Sequence, residues 1–264
     1  MDRLDKTMVE RGIVPTRTKA QELIEAQCVL VNGKIQTKAS LNVKEDDVVE
    51  LKENNILKYV SRGGLKLEKA LNSFNVNLSE KIVIDIGSST GGFTDCCLQH
   101  GAKKVIAIDV GTDVMHESLR ENPCVELYEN TNVVDMPNEK FQQAELVVVD
   151  VSFVSLERIV EKVASTGVLI DMICLIKPQF ECGKQIAKKY NGIIKSKTVH
   201  KDVLNKVVAF FNKNGFYLQN LDVSPIKGGD GNSEYISLFT NKVSSNIQVK
   251  FDNFVNEAFN KKYE

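Results

Sequence analysis

Four ionisable side chains lie where strands and helices are predicted to begin or end, and together they could move a proton. They are Lys66, Asp150, Lys177 and Glu234. Asp150 and Lys177 each follow an apolar run typical of a buried strand, whereas Lys66 lies in a predicted helix and Glu234 in a glycine-rich turn. For any single one a surface salt bridge is the simpler interpretation, so the hypothesis depends on whether the four meet.

The chemistry that such a set could perform is deprotonation of a hydroxyl group. A lysine has an ordinary pKa of about 10.4, and acting as a base near neutral pH requires a fall of roughly three, or about 4 kcal/mol. Burial and a second ammonium both lower a lysine pKa. Lys177 precedes Pro178 in a Lys-Pro-Gln-Phe turn, where methyltransferases of exocyclic amines commonly carry Asn or Asp instead. We therefore expect Lys177 to be the base, Lys66 to position the substrate, and the two carboxylates to orient both amines.

A glycine loop lies between a predicted strand and a predicted helix. Residues 85–94 read DIGSSTGGFT, which matches neither the dinucleotide fingerprint nor the P-loop. Asp109 ends the next strand, where an acidic side chain can accept hydrogen bonds from a ribose diol. The combination suits S-adenosylmethionine, an adenosine cofactor without a pyrophosphate. A glycine turn made only for packing remains the alternative.

Apolar strands alternate with helices from residue 81 onward. The strands are predicted at 82–86, 104–109, 146–150 and 172–177, with later strands at Tyr217–Val223 and Tyr235–Thr240. Near-continuous apolar strands separated by helices predict a parallel sheet covered on both faces, with ligands at the carboxyl ends of the strands. The last 14 residues predict a helix whose apolar face packs on its own domain. That face comprises Phe251, Phe254, Val255, Ala258 and Phe259.

The first 60 residues have a different pattern, and we expect a domain at 1–60, with a polar linker at 52–55, followed by a second domain at 61–264. Thr16 can cap a helix that runs to about Ala26. Asn32-Gly33 between apolar residues predicts a tight hairpin. About 50 residues form only a small core, so this piece is a module rather than an enzyme.

Basic residues cluster in two places. Residues 1–40 carry seven Lys or Arg against five acidic residues. The predicted loop 184–201 carries six lysines and no acidic residue, directly after the Lys-Pro-Gln-Phe turn. Both segments would attract phosphate, which favours a nucleic-acid partner. A solvated helix face and a solvated loop are the alternatives.

The composition excludes several classes of protein. A net charge of −1 and 42% hydrophobic residues indicate an ordinary folded chain rather than a disordered or fibrous one. No apolar stretch is long enough for a membrane span, and the charged start lacks an export signal, so we expect a cytoplasmic protein. Six cysteines without a C-x-x-C pair and only three histidines predict buried reduced thiols and no metal site.

The ordered set of motifs resembles the TlyA family of ribosomal RNA 2′-O-methyltransferases, often labelled hemolysin A. These proteins join an S4 RNA-binding domain to an FtsJ-like methyltransferase domain. The resemblance covers nearly the whole chain to about residue 240. The matching stretches are 3–5 through 31–34, 60–67, 85–94, 149–153, 177–181 and 231–234.

The resemblance implies a small α+β S4-like domain followed by a Rossmann-like class I S-adenosylmethionine-dependent methyltransferase domain. It implies a catalytic tetrad at Lys66, Asp150, Lys177 and Glu234, and a cofactor site with Ser88 where Ala is usual. The implied cofactor residues are Gly87, Ser88, Ser89, Thr90, Gly91, Gly92, Phe93, Asp109, Val110, Asn132 and Phe153. The expected RNA-binding residues are Arg3, Lys6, Arg11, Arg17, Lys19, Lys34, Arg62, Lys184, Lys188 and Lys189.

The expected activity is methyl transfer to a ribose 2′-hydroxyl of ribosomal RNA, with ribosomal RNA or a ribosomal subunit as partner and no stable protein partner. The family modifies cytidine in one or both subunits, and the short start before Arg3 favours the single-target form. Three alternatives compete: a non-catalytic S4-type RNA-binding protein with a degenerate fold, a membrane-active toxin, and a pseudouridine synthase. The glycine loop disfavours the last, and the absence of an amphipathic cationic helix disfavours the toxin.

Overall fold

The chain divides into two compact units, one ending at Lys58 and the other starting at Tyr59. The computed structural model describes residues 2–25, 28–51 and 58–261, without the side chains of Glu22 and Glu25. The sequence-predicted linker at 52–55 and the expected helix end at Ala26 lie outside these residues.

The first unit places two helices before a small set of strands. Its elements are β1 (Asp2–Arg3), α1 (Leu4–Glu10), α2 (Arg17–Glu25), β2 (Val29–Val31), β3 (Lys34–Gln36), β4 (Asn42–Val43) and β5 (Val49–Leu51). The predicted hairpin is confirmed, since β2 pairs with β3 and both Asn32 and Gly33 have positive φ, at 50° and 73°. The predicted cap is also confirmed, because Thr16 Oγ1 accepts a hydrogen bond from the Lys19 amide at 3.1 Å. The pairing of β1 with β4 has no signal in the sequence.

The second unit is built on a seven-stranded sheet. Its helices are α3 (Gly63–Phe74), α4 (Gly92–Gln99), α5 (Glu117–Arg120), α6 (Asn138–Gln142), α7 (Leu156–Ser165), α8 (Pro178–Glu181), α9 (Lys184–Lys189), α10 (Lys197–Lys213) and α11 (Phe251–Asn260). Its strands are β6 (Ile82–Ile86), β7 (Lys104–Ile108), β8 (Val125–Tyr128), β9 (Leu146–Val149), β10 (Asp171–Ile176), β11 (Tyr217–Val223) and β12 (Tyr235–Thr240). The order in the sheet is β11-β12-β10-β9-β6-β7-β8. Strand β12 is antiparallel to both of its neighbours, while the pairs among β10, β9, β6, β7 and β8 are parallel.

Apolar clusters cover both faces of this sheet, as the continuous apolar strands predict. One cluster includes Ile84 and Tyr235, and the other includes Val83 and Ile236, which are neighbours on the same strands and therefore face opposite sides. The late strands lie where the sequence predicts them. The last helix packs on its own unit as expected, with Val255 and Ala258 buried.

Two expectations need correction. The lysine-rich segment 184–201 is not a loop, because α9 follows Gly183 at a φ of 84° and α10 begins at a cap where the Val199 amide donates to Ser196 Oγ. The cysteines are not all buried, since Cys124 is exposed and Cys182 is partly exposed. Cys124 lies in the turn before β8, which is the last strand at one side of the sheet.

Among residues 2–25, 28–51 and 58–261, each helix is too short or too polar to cross a membrane. In the same part of the chain, no three His, Cys, Asp or Glu side chains gather in a way that could hold a metal ion.

Candidate active site

The directions of the strands bring three of the four candidate catalytic side chains together at the carboxyl ends of the parallel strands, and the fourth reaches them from a helix. Asp150 follows β9 and Lys177 follows β10, and these strands are parallel, so both side chains lie at the carboxyl ends. Glu234 precedes β12, which runs antiparallel to β10 and pairs Tyr235 with Ile176. The beginning of β12 therefore lies beside the end of β10. Lys66 reaches the same place from α3.

These four side chains form one buried ionic network. Lys66 Nζ lies 2.7 Å from Glu234 Oε2 and 3.7 Å from Asp150 Oδ2. Lys177 Nζ lies 2.5 Å from Asp150 Oδ1. The residues Lys66, Lys177 and Glu234 are 7%, 6% and 2% exposed. The structure thus brings together two amines and two carboxylates that are far apart in the sequence.

The charges in this network reinforce one another. Burial alone would lower the pKa of Lys66, but the charges of Asp150 and Glu234 outweigh it and hold the pKa above its usual value. Burial alone would raise the pKa of Asp150, but the two lysine charges hold it below its usual value. Lys66 therefore remains a cation at neutral pH and Asp150 an anion.

Two further side chains orient the network. Gln179 Nε2 donates to Glu234 Oε1 at 3.1 Å, and Lys177 Nζ donates to Ser152 Oγ at 3.1 Å. Sequence reasoning missed both residues. Their positions could have indicated them, since Gln179 lies two residues after Lys177 and Ser152 two residues after Asp150, at the carboxyl ends of the parallel strands.

A cavity of about 310 Å³ opens beside this network, which is within the usual size of small-molecule sites. Gly87 lines it with a φ of 81°, and a Cβ there would lie 2.8 Å from the carbonyl oxygen of Asp150. Glycine is therefore required for the chain to turn this close to β9. Asp109 is held in place by the amides of Ser89 and Gly111, each of which donates to one carboxylate oxygen at 2.7 Å.

A buried carboxyl lies beneath the glycine loop. Asp85 is fully buried, and Thr94 Oγ1 donates to its Oδ2 at 2.6 Å. Burial, together with the negative charges of Asp150 and Asp109, raises the pKa of Asp85 to about 7. Asp85 therefore gives up its proton less readily than an ordinary carboxyl does.

The predicted cofactor residues divide into two groups. Those that line the cavity are Gly87, Ser89, Asp109, Val110 and Asn132. Those outside its lining are Ser88, Thr90, Gly91, Gly92, Phe93 and Phe153. Gly91 and Gly92 serve packing, since a Cβ on Gly92 would lie 3.0 Å from the Gly64 amide and one on Gly91 would collide with Met115. Phe93 is buried in the apolar cluster beneath.

Sequence reasoning missed much of the cavity wall. Asp150, predicted as a catalytic residue, also lines the cavity. The lining residues that were not predicted are Ile86, Ile108, Thr131, Val133, Val134, Val151, Ser152, Val154, Arg158 and Ile159. Most are apolar residues, which lie at the ends of β6 and β7, after strands, or on α7. A single apolar residue at such a position carries no sequence signal for a cavity. The cavity and the ionic network meet at Asp150 and Ser152, which belong to both.

An exposed aromatic side chain lies close to Lys177. Phe153 is 86% exposed and has a φ of 64°, a conformation that non-glycine residues rarely adopt. Its ring centroid is 4.8 Å from that of Phe180, and Lys177 Nζ is 5.8 Å from the Phe180 ring. Residues held in such rarely populated backbone conformations cluster at functional sites, which makes Phe153 a candidate functional residue.

The lysines of segment 184–201 serve different purposes. Lys184, Lys188 and Lys189 lie on α9, which has no buried residue. Lys197 donates to Asn256 Oδ1 at 2.7 Å, and Lys201 pairs with Asp252 at 2.8 Å, so both hold α11. The α9 lysines make no such contact with α11 among the described residues, and they are exposed. Arg62, directly before α3, is partly exposed.

Several predicted RNA-binding residues of the first unit also hold its fold. Arg3 and Arg17 each lie 2.9 Å from the buried Asp5, although both guanidinium groups remain about half exposed. Arg11 donates to backbone carbonyls before β5, including that of Asp47 at 2.6 Å. Lys6 on α1 pairs with Asp2 of β1 and with Glu10 at the end of α1. Lys34 is exposed at the start of β3, and Lys19 is partly exposed on α2.

Asp5 gives the first unit a pH dependence. Hydrogen bonds from Arg3, Arg17 and Gln21 hold the pKa of this carboxyl well below its usual range, against the opposing effect of burial. Its stabilisation is therefore present above the unfolded pKa of about 3.9 and is lost as pH falls through the lower folded value. We expect the protection of the α1 amides, measured relative to their intrinsic exchange rates, to fall steeply below about pH 4. In Asp5→Asn this protection should already be low at pH 7 and change less on acidification. Equal acid profiles for the two proteins would contradict this.

A mostly parallel sheet with a glycine-lined cavity at its carboxyl ends defines a Rossmann-like α/β enzyme. Residues 59–240 match the family model of FtsJ-like methyltransferases, and residues 2–49 match that of the S4 domain. The chain therefore belongs to the FtsJ-like methyltransferase family and carries an S4 domain. This confirms the predicted fold class.

Similar proteins cover most of the chain. It is 41% identical to hemolysin A of Brachyspira hyodysenteriae, over 90% of this chain and 99% of that protein. It is 38% identical to the 23S rRNA (cytidine-2′-O)-methyltransferase TlyA of Campylobacter jejuni, over 86% and 95%. A solved structure, described as a hemolysin from Streptococcus thermophilus, is 38% identical and superimposes with a TM-score of 0.77, covering 97% of this chain and 95% of that one. The resemblance to the TlyA family is confirmed.

Proposed function

We propose that this protein transfers a methyl group from S-adenosylmethionine to the 2′-hydroxyl of a cytidine ribose in ribosomal RNA. The observation that carries the proposal is the buried network of two lysines and two carboxylates at the mouth of the cavity. A hydroxyl nucleophile needs a base, and this network places amines where a base would act. The name of the Campylobacter jejuni relative supports the choice of cytidine and the 2′ oxygen.

The cavity residues fit this cofactor. Apolar walls at Ile108 and Val133 suit an adenine ring, and Asp109 lies at the end of the second strand, where a carboxylate accepts hydrogen bonds from a ribose diol. Gly87 would let the backbone approach the cofactor closely. When bound, S-adenosylmethionine supplies a methyl group activated by its sulfonium.

The tetrad would then deprotonate and orient the ribose. Lys66 stays charged between Asp150 and Glu234, so it cannot accept a proton and is suited to hold the substrate oxygen. Lys177 pairs with one carboxylate, Asp150, where Lys66 pairs with two, and we assign Lys177 the role of general base. Asp150 lies between both amines and also lines the cavity, so it fixes the distance between base and cofactor. Such positioning accounts for much of the rate in methyl transfer.

The RNA would be held by three surfaces of different chemistry. The exposed ring of Phe153 beside Phe180 suits stacking on an unpaired base, as single-stranded RNA is commonly recognised. The lysines of α9 suit the phosphates that flank the target. The basic half of the S4 unit provides further, sequence-independent affinity.

Mapping of 2′-O-methyl groups tests the proposal. Ribosomal RNA from cells with and without this protein should differ at a cytidine, and purified protein should transfer labelled methyl from S-adenosylmethionine to that site. Identical methylation maps, together with no transfer to either ribosomal subunit or to naked RNA, would instead support a non-catalytic RNA-binding protein.

A further inference from the structure

Asn232 connects the catalytic edge of the sheet to a segment some forty residues away. It is 1% exposed and lies two residues before Glu234. Its Nδ2 donates to the Gly192 carbonyl at 2.8 Å, and its Oδ1 accepts from the Ile194 amide at 2.9 Å. The side chain thus pairs with both backbone groups as a neighbouring strand would.

A buried histidine provides a second connection between the same two places. His200 Nε2 donates to the Ile194 carbonyl at 3.1 Å, and Tyr235 Oη donates to His200 Nδ1 at 2.8 Å. Burial lowers the pKa of His200, which favours the neutral ring that these two bonds require. Gly192 to Ile194 is therefore fixed to the residues on both sides of Glu234.

The segment held in this way follows the lysine helix α9 directly. Helix α9 has no buried residue of its own, and no added Cβ would meet an atom at Gly183 or Gly192, which flank the segment. Packing therefore does little to fix its position. At the other end, Glu181 ties α8 to the start of α7 by accepting from the Leu156 amide at 2.9 Å. The location of the α9 lysines thus depends on these two attachments.

We propose that Asn232 is a positioning residue that sets the α9 lysines relative to Glu234 and hence to the reacting ribose. This inference rests on the proposed function and adds a contact of α9 with the phosphates next to the target nucleotide. The catalytic network itself does not include Asn232, whose side chain bonds to the 192–194 backbone alone among the described residues. Losing it should weaken productive RNA binding while leaving the chemical step intact.

The chain offers a matched control at the opposite end of β12. Asn241, just beyond that end, accepts from the Ile170 amide at 2.7 Å and donates to the Val168 carbonyl at 2.7 Å. Asn232→Ala and Asn241→Ala each remove one donated and one accepted side-chain hydrogen bond to the backbone, and Asn241 is the less buried of the two. Only Asn232→Ala should affect RNA binding.

The experiment measures three quantities for each variant. They are the kinetics of methyl transfer to purified large ribosomal subunits, the affinity for the cofactor, and the salt dependence of subunit binding. We expect Asn232→Ala to raise KM for the subunit about five- to tenfold, with kcat and cofactor affinity within about twofold. Asn232→Asp keeps an acceptor for the Ile194 amide but, as a carboxylate, cannot donate to the Gly192 carbonyl, so it should raise KM in the same direction. Asn241→Ala should leave KM unchanged.

Combining Asn232→Ala with substitutions of the α9 lysines distinguishes a positioning role of Asn232 from a general loss of stability. Replacing Lys184, Lys188 and Lys189 together should raise KM and reduce the salt slope of binding by about two. Adding Asn232→Ala to that variant should then raise KM no further, because the residue acts through the lysines. An additive effect, or an equal effect of Asn241→Ala, would overturn the proposal. If the wild type transfers no methyl group, the proposed function fails, and the salt slopes alone still decide whether Asn232 positions α9.

Discussion

Replacing Lys177 with alanine should abolish nearly all methyl transfer while leaving S-adenosylmethionine bound. General base catalysis contributes about a hundred- to ten-thousandfold to a rate, so we expect kcat to fall about a thousandfold. Lys177 is held by Asp150 and Ser152 at the cavity mouth, so its loss removes the base without removing Asp109 or the glycine turn. Calorimetry should give a cofactor affinity within about threefold of the wild type.

Two comparisons sharpen this expectation. Lys177→Arg keeps a positive charge but cannot lose its proton, so it should be as inactive as the alanine variant. Lys206→Ala removes a lysine that is paired with Glu157 at the surface, and it should retain full activity. Turnover near the wild-type rate in Lys177→Ala, with cofactor bound, would show that Lys177 is not the base.

The sequence was sufficient for the parts of the site that lie at strand ends. Apolar runs located β9 and β10, and the carboxyl ends of parallel strands lie on one side of a sheet, so Asp150 and Lys177 could be placed on the same side in advance. That β9 and β10 are neighbours is known only from the structure. Glu234 was harder, because its position depends on β12 running against its neighbours, and periodicity does not give strand direction. The family resemblance, rather than the strand pattern, predicted that Lys66 and Glu234 belong to one site. The structure shows that their side chains are in contact.

Other features could not be predicted because they depend on packing between distant segments. The lysines at 184–201 looked alike in the sequence, yet Lys201 pairs with Asp252 of α11 while Lys188 lies exposed on α9. In the first unit, Arg3 and Arg17 looked like phosphate ligands, and both also neutralise the buried Asp5. A charge count cannot separate the two roles, since each depends on which buried group lies within reach.

The ionic network should also be the part of the second unit that is most sensitive to loss of one charge. Asp150 is the anion shared by both lysines, and its side chain is 18% exposed. In Asp150→Asn, Lys66 keeps Glu234, but Lys177 keeps a hydroxyl partner in place of a carboxylate. Breaking a buried pair from one side commonly costs about 3–5 kcal/mol, and we expect destabilisation near the lower value.

We expect this cost to come from the Lys177 ammonium that is left without a carboxylate partner, rather than from the loss of the carboxylate itself. A second substitution tests this. Asp150→Asn combined with Lys177→Met should be clearly more stable than Asp150→Asn alone, since no charge is left without a partner. Hydrogen exchange in β9 and β10 under urea reports on the second unit specifically. Asp171→Asn, at the other end of β10, breaks a surface pair with Lys242 and should cost less than about 1 kcal/mol.

Acid should remove the difference between the wild type and Asp150→Asn. The folded pKa of Asp150 is lowered by the two lysines, so its stabilisation exists above the unfolded pKa of about 3.9 and disappears as pH falls through the folded value. The gap in unfolding free energy should therefore be large at pH 7 and shrink progressively below about pH 4. A gap that persists at low pH would mean that Asp150 stabilises the fold through shape rather than charge. A double variant no more stable than the single one would mean that Lys177 tolerates the loss of its anion, and the base would then be held by Ser152 and by the surrounding packing.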